Sequence, residues 1–172
     1  MRSGVSPHRV FWPLALVWVV ADYATKRWAE ATLTPYGAVD LVGDWLRWRL
    51  AYNPGAAFSL HLGPYSRWIF MVIAAVAVIG IAWKARDAEW NEWLRQIAAA
   101  LVVGGAAGNL IDRIRGAAGV VDFIDIGIGM TRWPTFNVAD MGVSCGAVAL
   151  AISFWLEDAR KAREAPSQPS SP

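Results

Sequence analysis

The chain predicts a membrane α-helical fold: four transmembrane helices with a small extracytoplasmic β-rich cradle and a connecting helix or loop on the same side. Three observations predict it. Hydrophobic residues fill 56% of the 172 positions and charged residues 17%, where soluble domains sit nearer about 45–50% and 25%. Four apolar stretches, at about 10–28, 68–83, 94–112 and 138–156, approach the roughly 20 residues that cross a bilayer. The polar residues gather beside a segment of period-two alternation instead of spreading along the spans.

Composition also bounds the partners. At this length one integral-membrane domain, 1–172, is expected. A net charge of +2 with scattered basic residues supplies no surface for nucleic acid. The single cysteine, Cys145, has no disulfide or metal-ligand companion, and in the run VSCGAVALAI it is expected as a small buried side chain.

After a short polar start, Val10 to Ala21 is almost wholly apolar. A cleaved signal peptide would end its apolar region of roughly 7–15 residues at small residues. Here helical composition continues through Tyr23, Thr25, Lys26 and Trp28, so a retained first span is expected, with Pro13 in its first turn where a proline is tolerated. Asp22 and Lys26 are four apart, share a face and can neutralise each other. Near a helix end such a pair is expected to snorkel to the interface as an anchor.

Pro35-Tyr36-Gly37 marks a turn, and Trp45 to Asn53 then alternates. Leu46, Trp48, Leu50 and Tyr52 would share one face and Arg47 and Arg49 the other, the pattern of a half-buried strand at the membrane surface. The following Asn53-Pro54-Gly55-Ala56-Ala57-Phe58 reads in two ways. It is a turn into a second strand, or it holds the Asn53 amide beside a bound peptide, with small residues such as Gly55 permitting close backbone approach.

Trp68 to Trp83 is an uncharged span, and Lys84 to Arg95 a short polar connection. The third span, Leu94 to about Asp112, carries Gly104 and Gly108 at the spacing that lets membrane helices pack closely; the fourth, Val138 to Leu156, repeats this with Gly142 and Gly146. Residues 157–172, charged and then Pro/Ser-rich, are expected as a flexible tail. Eight of the sixteen Lys and Arg lie in the N-terminus, the second connection and the tail, over a shorter total length than the two opposite segments that hold the other eight, so both termini are expected in the cytoplasm.

On that topology Asp112, Asp122, Asp125 and Asp140 collect at the outer ends of the third and fourth spans, with Arg113, Arg115 and Arg132 to balance them. A charge at mid-membrane costs about 2.5–3.5 kcal/mol on insertion scales, so several together point to use. Val120 to Ile126 alternates, placing Asp122 with Val120, Ile124 and Ile126, where apolar neighbours would raise its pKa. Two carboxylates that meet closely share one proton and act as an acid and a base, able to activate water against a peptide carbonyl. No serine or cysteine has a plausible base, since His8 is in the N-terminal tail and His61 in a loop, and no motif suggests a metal or cofactor. Spacing leaves open which aspartates pair: alternation nominates Asp122 and the helix-start position nominates Asp140. An ion transporter would carry its carboxylates at mid-bilayer on several helices. A scaffold built on the glycine-spaced faces leaves the polar cluster unexplained.

Five blocks carry a resemblance. They are Asp22-Tyr23-Ala24-Thr25-Lys26, Asn53-Pro54-Gly55-Ala56-Ala57-Phe58, Gly104 to Arg113 (GGAAGNLIDR), Val120-Val121-Asp122-Phe123 and Phe136-Asn137-Val138-Ala139-Asp140. In this order the chain, over about residues 10–157, resembles the bacterial lipoprotein signal peptidase (signal peptidase II) family. The resemblance implies an aspartyl endopeptidase of the bacterial inner membrane with its site at the periplasmic face. Such an enzyme cuts prolipoproteins just before the diacylglyceryl-modified cysteine, acting as a monomer with membrane lipid around it and no cofactor. It implies Asp122 and Asp140 as the catalytic pair, and Asn53, Gly55, Asn109, Arg113 and Asn137 as residues that hold substrate or shape the site. Asp22, Lys26 and Asp112 then serve as structural support, and Asp125 stands outside the set. Met141 departs from the smaller or polar residue expected there, which bears on pocket shape.

Overall fold

The computed structural model describes residues 8–54, 56–57, 60–61, 63–85, 92–116 and 118–164. In chain order the elements are α1 (His8–Thr32), β1 (Ala38–Val42), β2 (Leu46–Asn53), β3 (Ala56–Ala57), β4 (Leu60–His61), α2 (Ser66–Lys84), α3 (Trp93–Arg115), β5 (Val120–Ile128), β6 (Thr131–Arg132) and α4 (Val138–Glu164). Among them α2, α3 and α4 are long and apolar enough to cross a membrane.

The span expected at 10–28 is helical but does not join that group, because Asp22, Lys26, Arg27 and Glu30 crowd the second half of α1. Since α1 already begins at His8, Pro13 lies beyond the first turn and removes one backbone hydrogen bond from the helix. A single stripe of α1 is buried: Phe11, Ala15, Asp22, Lys26 and Ala29, at helical spacing. Asp22 and Lys26 therefore do not snorkel. Both are 1% exposed, turned into the protein.

Helix α3 is the central element, packed on α4, α1 and α2, and its glycines set how closely. A Cβ on Gly105 would lie 2.3 Å from the Ala139 carbonyl oxygen of α4, and one on Gly108 would lie 2.4 Å from Asp22 Oδ2. On α4, a Cβ at Gly142 would overlap the Trp18 indole nitrogen at 2.1 Å. Of the four glycines read at that spacing, Gly104 and Gly146 meet the backbone carbonyls of Ala15 and Ala98, while Gly108 and Gly142 make room for the side chains of Asp22 and Trp18. Helix α2 packs mainly on α3 and leaves most of its surface exposed. At its lower end the Gln96 amide donates to the Ala85 carbonyl at 3.0 Å.

Strands β1, β2, β5 and β6 form one antiparallel sheet in that order, and β3 pairs with β4 separately. The sheet rests on the end of α1, where Ala29, Phe123 and Ile124 form a core flanked by Leu46, Trp48 and Phe136. Trp28 meets Trp48 and Phe123 edge-on, with ring centroids 5.5 and 6.1 Å apart.

The strand faces expected of β2 are corrected by a bulge. Trp48 pairs with Ile124 but Ala51, not Leu50, pairs with Asp122. One extra residue on β2 reverses the alternation beyond it. Leu50 and Tyr52 leave the face of Leu46 and Trp48, and Asn53 joins the face of Asp122.

Two further expectations change. Helix α4 continues through Glu164, so residues 157–164 are helical and not a flexible tail; 165–172 lie outside the described residues. The extension is stabilised by helix-forming residues and a Glu157–Lys161 pair at 2.7 Å. Cys145 is exposed on α4 and not buried, since it lines an open cavity between α2, α3 and α4.

Gly105→Ala is expected to destabilise the protein by about 1–3 kcal/mol, because a backbone carbonyl blocks the added methyl. Gly80→Ala, with nothing within 4 Å, should leave stability unchanged or raise it. Thermal melts of the detergent-solubilised variants check the contrast.

Candidate active site

The site is assembled where α4 begins. Asn137 precedes the helix, and its Oδ1 accepts the Asp140 N–H at 2.9 Å while Asp140 Oδ2 accepts the Asn137 N–H at 3.3 Å. This reciprocal cap leaves Asp140 in the first turn, where the helix dipole favours a negative charge. Asp22 Oδ1 accepts the next free N–H, that of Ala139, at 2.8 Å, and the Trp18 indole donates to the Val138 carbonyl at 3.0 Å. So α1 holds the end of α4 from the other side.

Two amides join the carboxylates. Asn137 Nδ2 donates to Asp122 Oδ1 at 2.6 Å, and lies 3.2 Å from both Asn109 Oδ1 and the Val121 carbonyl. Asn109 Nδ2 donates to Asp140 Oδ1 at 2.8 Å. Behind them Lys26 Nζ donates to Asn109 Oδ1 at 2.9 Å and forms ion pairs with Asp22 at 2.8 Å and Asp112 at 2.9 Å. Asp112 in turn accepts the Val121 N–H at 3.2 Å, fastening α3 to β5 beside Asp122.

Asp122, Asp140, Asn53, Asn109 and Arg113 line one cavity of about 790 Å³. Its remaining wall is mostly apolar and comes from α2, α3, α4, Val120 of β5 and the segment 133–136, including Phe70, Ile73, Val102, Val143 and Met141. Asn53 hydrogen-bonds Asp122 from the end of β2, on the face the bulge turned toward it. Arg113 is 8% exposed, donates to the Asn109 carbonyl at 3.2 Å, and has a buried Nε without a partner. Gly55 lies outside the described residues. Asp125 is buried on the other face of β5 and paired with Arg132 at 2.9 Å, away from the cavity. Among the described residues no group of three or more His, Cys, Asp or Glu could hold a metal ion.

The family model for Signal peptidase (SPase) II matches residues 14–156. The chain belongs to the signal peptidase II family. It is 44% identical over 149 residues to the "Lipoprotein signal peptidase" of Hydrogenovibrio crunogenus, covering 84% of each chain. With the "Lipoprotein signal peptidase" of Xanthomonas campestris pv. campestris it shares 36% identity over 170 residues, 96% of this chain and 99% of that one. A solved structure described as "Bacterial membrane enzyme structure by the in meso method at 2.3 A resolution" superposes with a TM-score of 0.77 at 28% identity, covering 90% of this chain and 92% of that one.

In this signal peptidase II chain the electrostatics single out Asp122. Burial, and then the charge of Asp140, push its carboxyl up to about 7, against hydrogen bonds from Asn137 and Asn53 and the charge of Lys26 that favour ionisation. Near pH 7 the Asp122 carboxyl is therefore divided between its acid and ionised forms, and below that it is the acid.

Trp18, Arg67 and the 133–136 wall were not marked out in the sequence as site residues. A signal existed for Trp18, which stands four residues before Asp22 on the stripe that continues to Lys26. Arg67 and the 133–136 wall gave none, because each acts on a neighbour brought close only by the tertiary fold.

Folded Asp122 keeps its proton up to about pH 7, whereas an unfolded aspartate releases it near 3.8. Wild-type stability should fall as pH rises through that window and level off above it. Asp122→Asn removes the fall. Melting temperatures of the two proteins across the window should diverge in favour of the variant as pH increases.

Proposed function

We propose that the chain is an aspartyl endopeptidase that removes the signal peptide of prolipoproteins immediately before a diacylglyceryl-modified cysteine. The observation that carries this is a buried Asp122, its pKa raised by burial and by Asp140, sharing one cavity with Asp140 and linked to it through Asn137 and Asn109. Asp140, its oxygens oriented by Asn109 and the Asn137 N–H, takes a proton from water. The water oxygen attacks the scissile carbonyl carbon while Asp122 gives its proton to the carbonyl oxygen. As the tetrahedral species collapses, the carbon–nitrogen bond breaks, the proton now on Asp140 passes to the leaving amine, and one hydroxyl of the tetrahedral carbon returns its proton to Asp122, which restores the starting pair.

The other candidates take supporting roles. The unpartnered Nε of Arg113 is a donor for a substrate carbonyl, and Asn53 and Asn109 align the peptide. Gly55 is assigned to the same substrate-holding set through the family motif. Asp22, Lys26 and Asp112 hold the frame. The apolar wall between α2 and α4 admits the lipid-modified segment from the bilayer, while the polar end supplies water.

We place the protein in the bacterial inner membrane as one domain, acting as a monomer, with both termini cytoplasmic and the site at the periplasmic face. Helix α1 is the fourth span in this reading. Its charges Asp22 and Lys26 face α3 and α4, while Trp12, Leu16, Val17 and Val20 are exposed where lipid would meet them.

Asp122→Asn and Asp140→Asn should each abolish cleavage of a diacylglyceryl-modified precursor while the protein stays folded, and Asp125→Asn should keep substantial activity. Near-normal turnover by either of the first two variants would refute the pair. Because Asp122 must carry a proton, kcat/KM should fall as pH rises through about 7. The same precursor without its lipid should not be cut.

A further inference from the structure

Arg67 stands in the first turn of α2, outside every motif that carries the family resemblance, and both its Nε and an Nη donate to one acceptor, the Arg113 carbonyl, at 2.9 and 2.5 Å. Since α3 stops at Arg115, that carbonyl belongs to the last turn, whose oxygens an α-helix leaves without partners. A guanidinium there both fills the vacancy and complements the negative end of the helix dipole.

The contact reaches the site by two routes. It fixes the backbone of Arg113, whose guanidinium interacts with Asp140, Asp122 and Asp112 and whose Nε is buried without a partner beside the cavity. It also pins the start of α2 to the end of α3. Phe70, one turn further along α2, has its ring 5.8 Å from the Arg113 guanidinium and lines the cavity with Ile73, Ala74 and Ala77. Helix α2 packs mainly on α3 and is largely exposed, so this junction governs where its cavity-facing side lies.

We propose that Arg67 is a positioning residue for peptide hydrolysis: acting through Arg113, it sets the donor that receives the substrate carbonyl and the spacing of the α2 wall. This rests on the substrate-holding role given to Arg113 above. Ground-state binding is what it serves, so its loss should show in KM.

The test measures kcat and KM of the purified full-length protein on a diacylglyceryl-modified precursor. Arg67→Ala should raise KM about tenfold and keep kcat within about threefold, the pattern of lost uniform binding when two bonds from a charged donor are removed. Arg67→Lys, which keeps one charged donor, should recover part of the loss. On an Arg113→Ala background, or Arg113→Lys if the alanine variant lacks measurable turnover, Arg67→Ala should raise KM by only about two- to threefold, because the route through the Arg113 guanidinium is gone while the backbone junction that sets the α2 wall remains. If Arg67→Ala does not fold, Arg67→Lys and Arg67→Gln carry the same comparison. Unchanged KM, a loss confined to kcat, or full additivity with the Arg113 variant would overturn the inference and leave the peptidase reading standing. Failure of wild-type protein to cut the lipidated precursor would remove both.

Discussion

The Lys26 ammonium is the point on which the structure depends. It lies in a site 1% exposed, ion-paired to Asp22 and Asp112 and hydrogen-bonded to Asn109. A buried charge is tolerable only when paired and fully hydrogen-bonded, and removing one partner of such a set costs about 3–5 kcal/mol. Each partner leads to a different element. Asp22 continues to the first turn of α4, Asp112 to the backbone of β5, and Asn109 to Asp140 and Asn137. One cation on α1 thus fixes where α3, α4 and β5 meet, which is where Asp122 and Asp140 face the same cavity.

This arrangement reconciles polar chemistry with a membrane setting. Asp22 and Lys26 of α1 are turned inward against α3 and α4, and Gly108 leaves room for Asp22, so the apolar face of α1 can meet lipid. Backbone groups at the start of α4 find side-chain acceptors instead of water, and those acceptors are the candidate functional residues themselves. Satisfying a helix end and orienting a carboxylate are here one set of bonds. The same low-dielectric enclosure strengthens the network and holds a proton on Asp122.

Much of this is legible in the chain. Apolar length gives α2, α3 and α4, alternation gives β2 and β5, and four-residue glycine spacing gives the helices that touch. Asp22 and Lys26 are recognisable as a pair, yet their burial depends on Gly108 of α3, and no neighbour in sequence carries that information. The bulge in β2 is equally silent: residues 48–51 contain no glycine or proline, and the extra residue follows from pairing with β5. Asn53 therefore changes face without local warning. The end of α4 is a different failure. Its Glu, Lys and Arg content reads as the end of an apolar span, although the same residues are strong helix formers. Among the four aspartates, alternation separates Asp122 from Asp125 by face, but only the Arg132 contact gives Asp125 a different occupation.

The claim that this one buried cation organises the site is tested most directly by kcat/KM of Lys26→Met on a lipidated precursor, measured at a temperature where circular dichroism shows the variant folded. The account predicts a loss of at least about 100-fold, the scale seen when groups that orient reacting residues are removed. Cleavage within about twofold of wild type by the folded variant would contradict it.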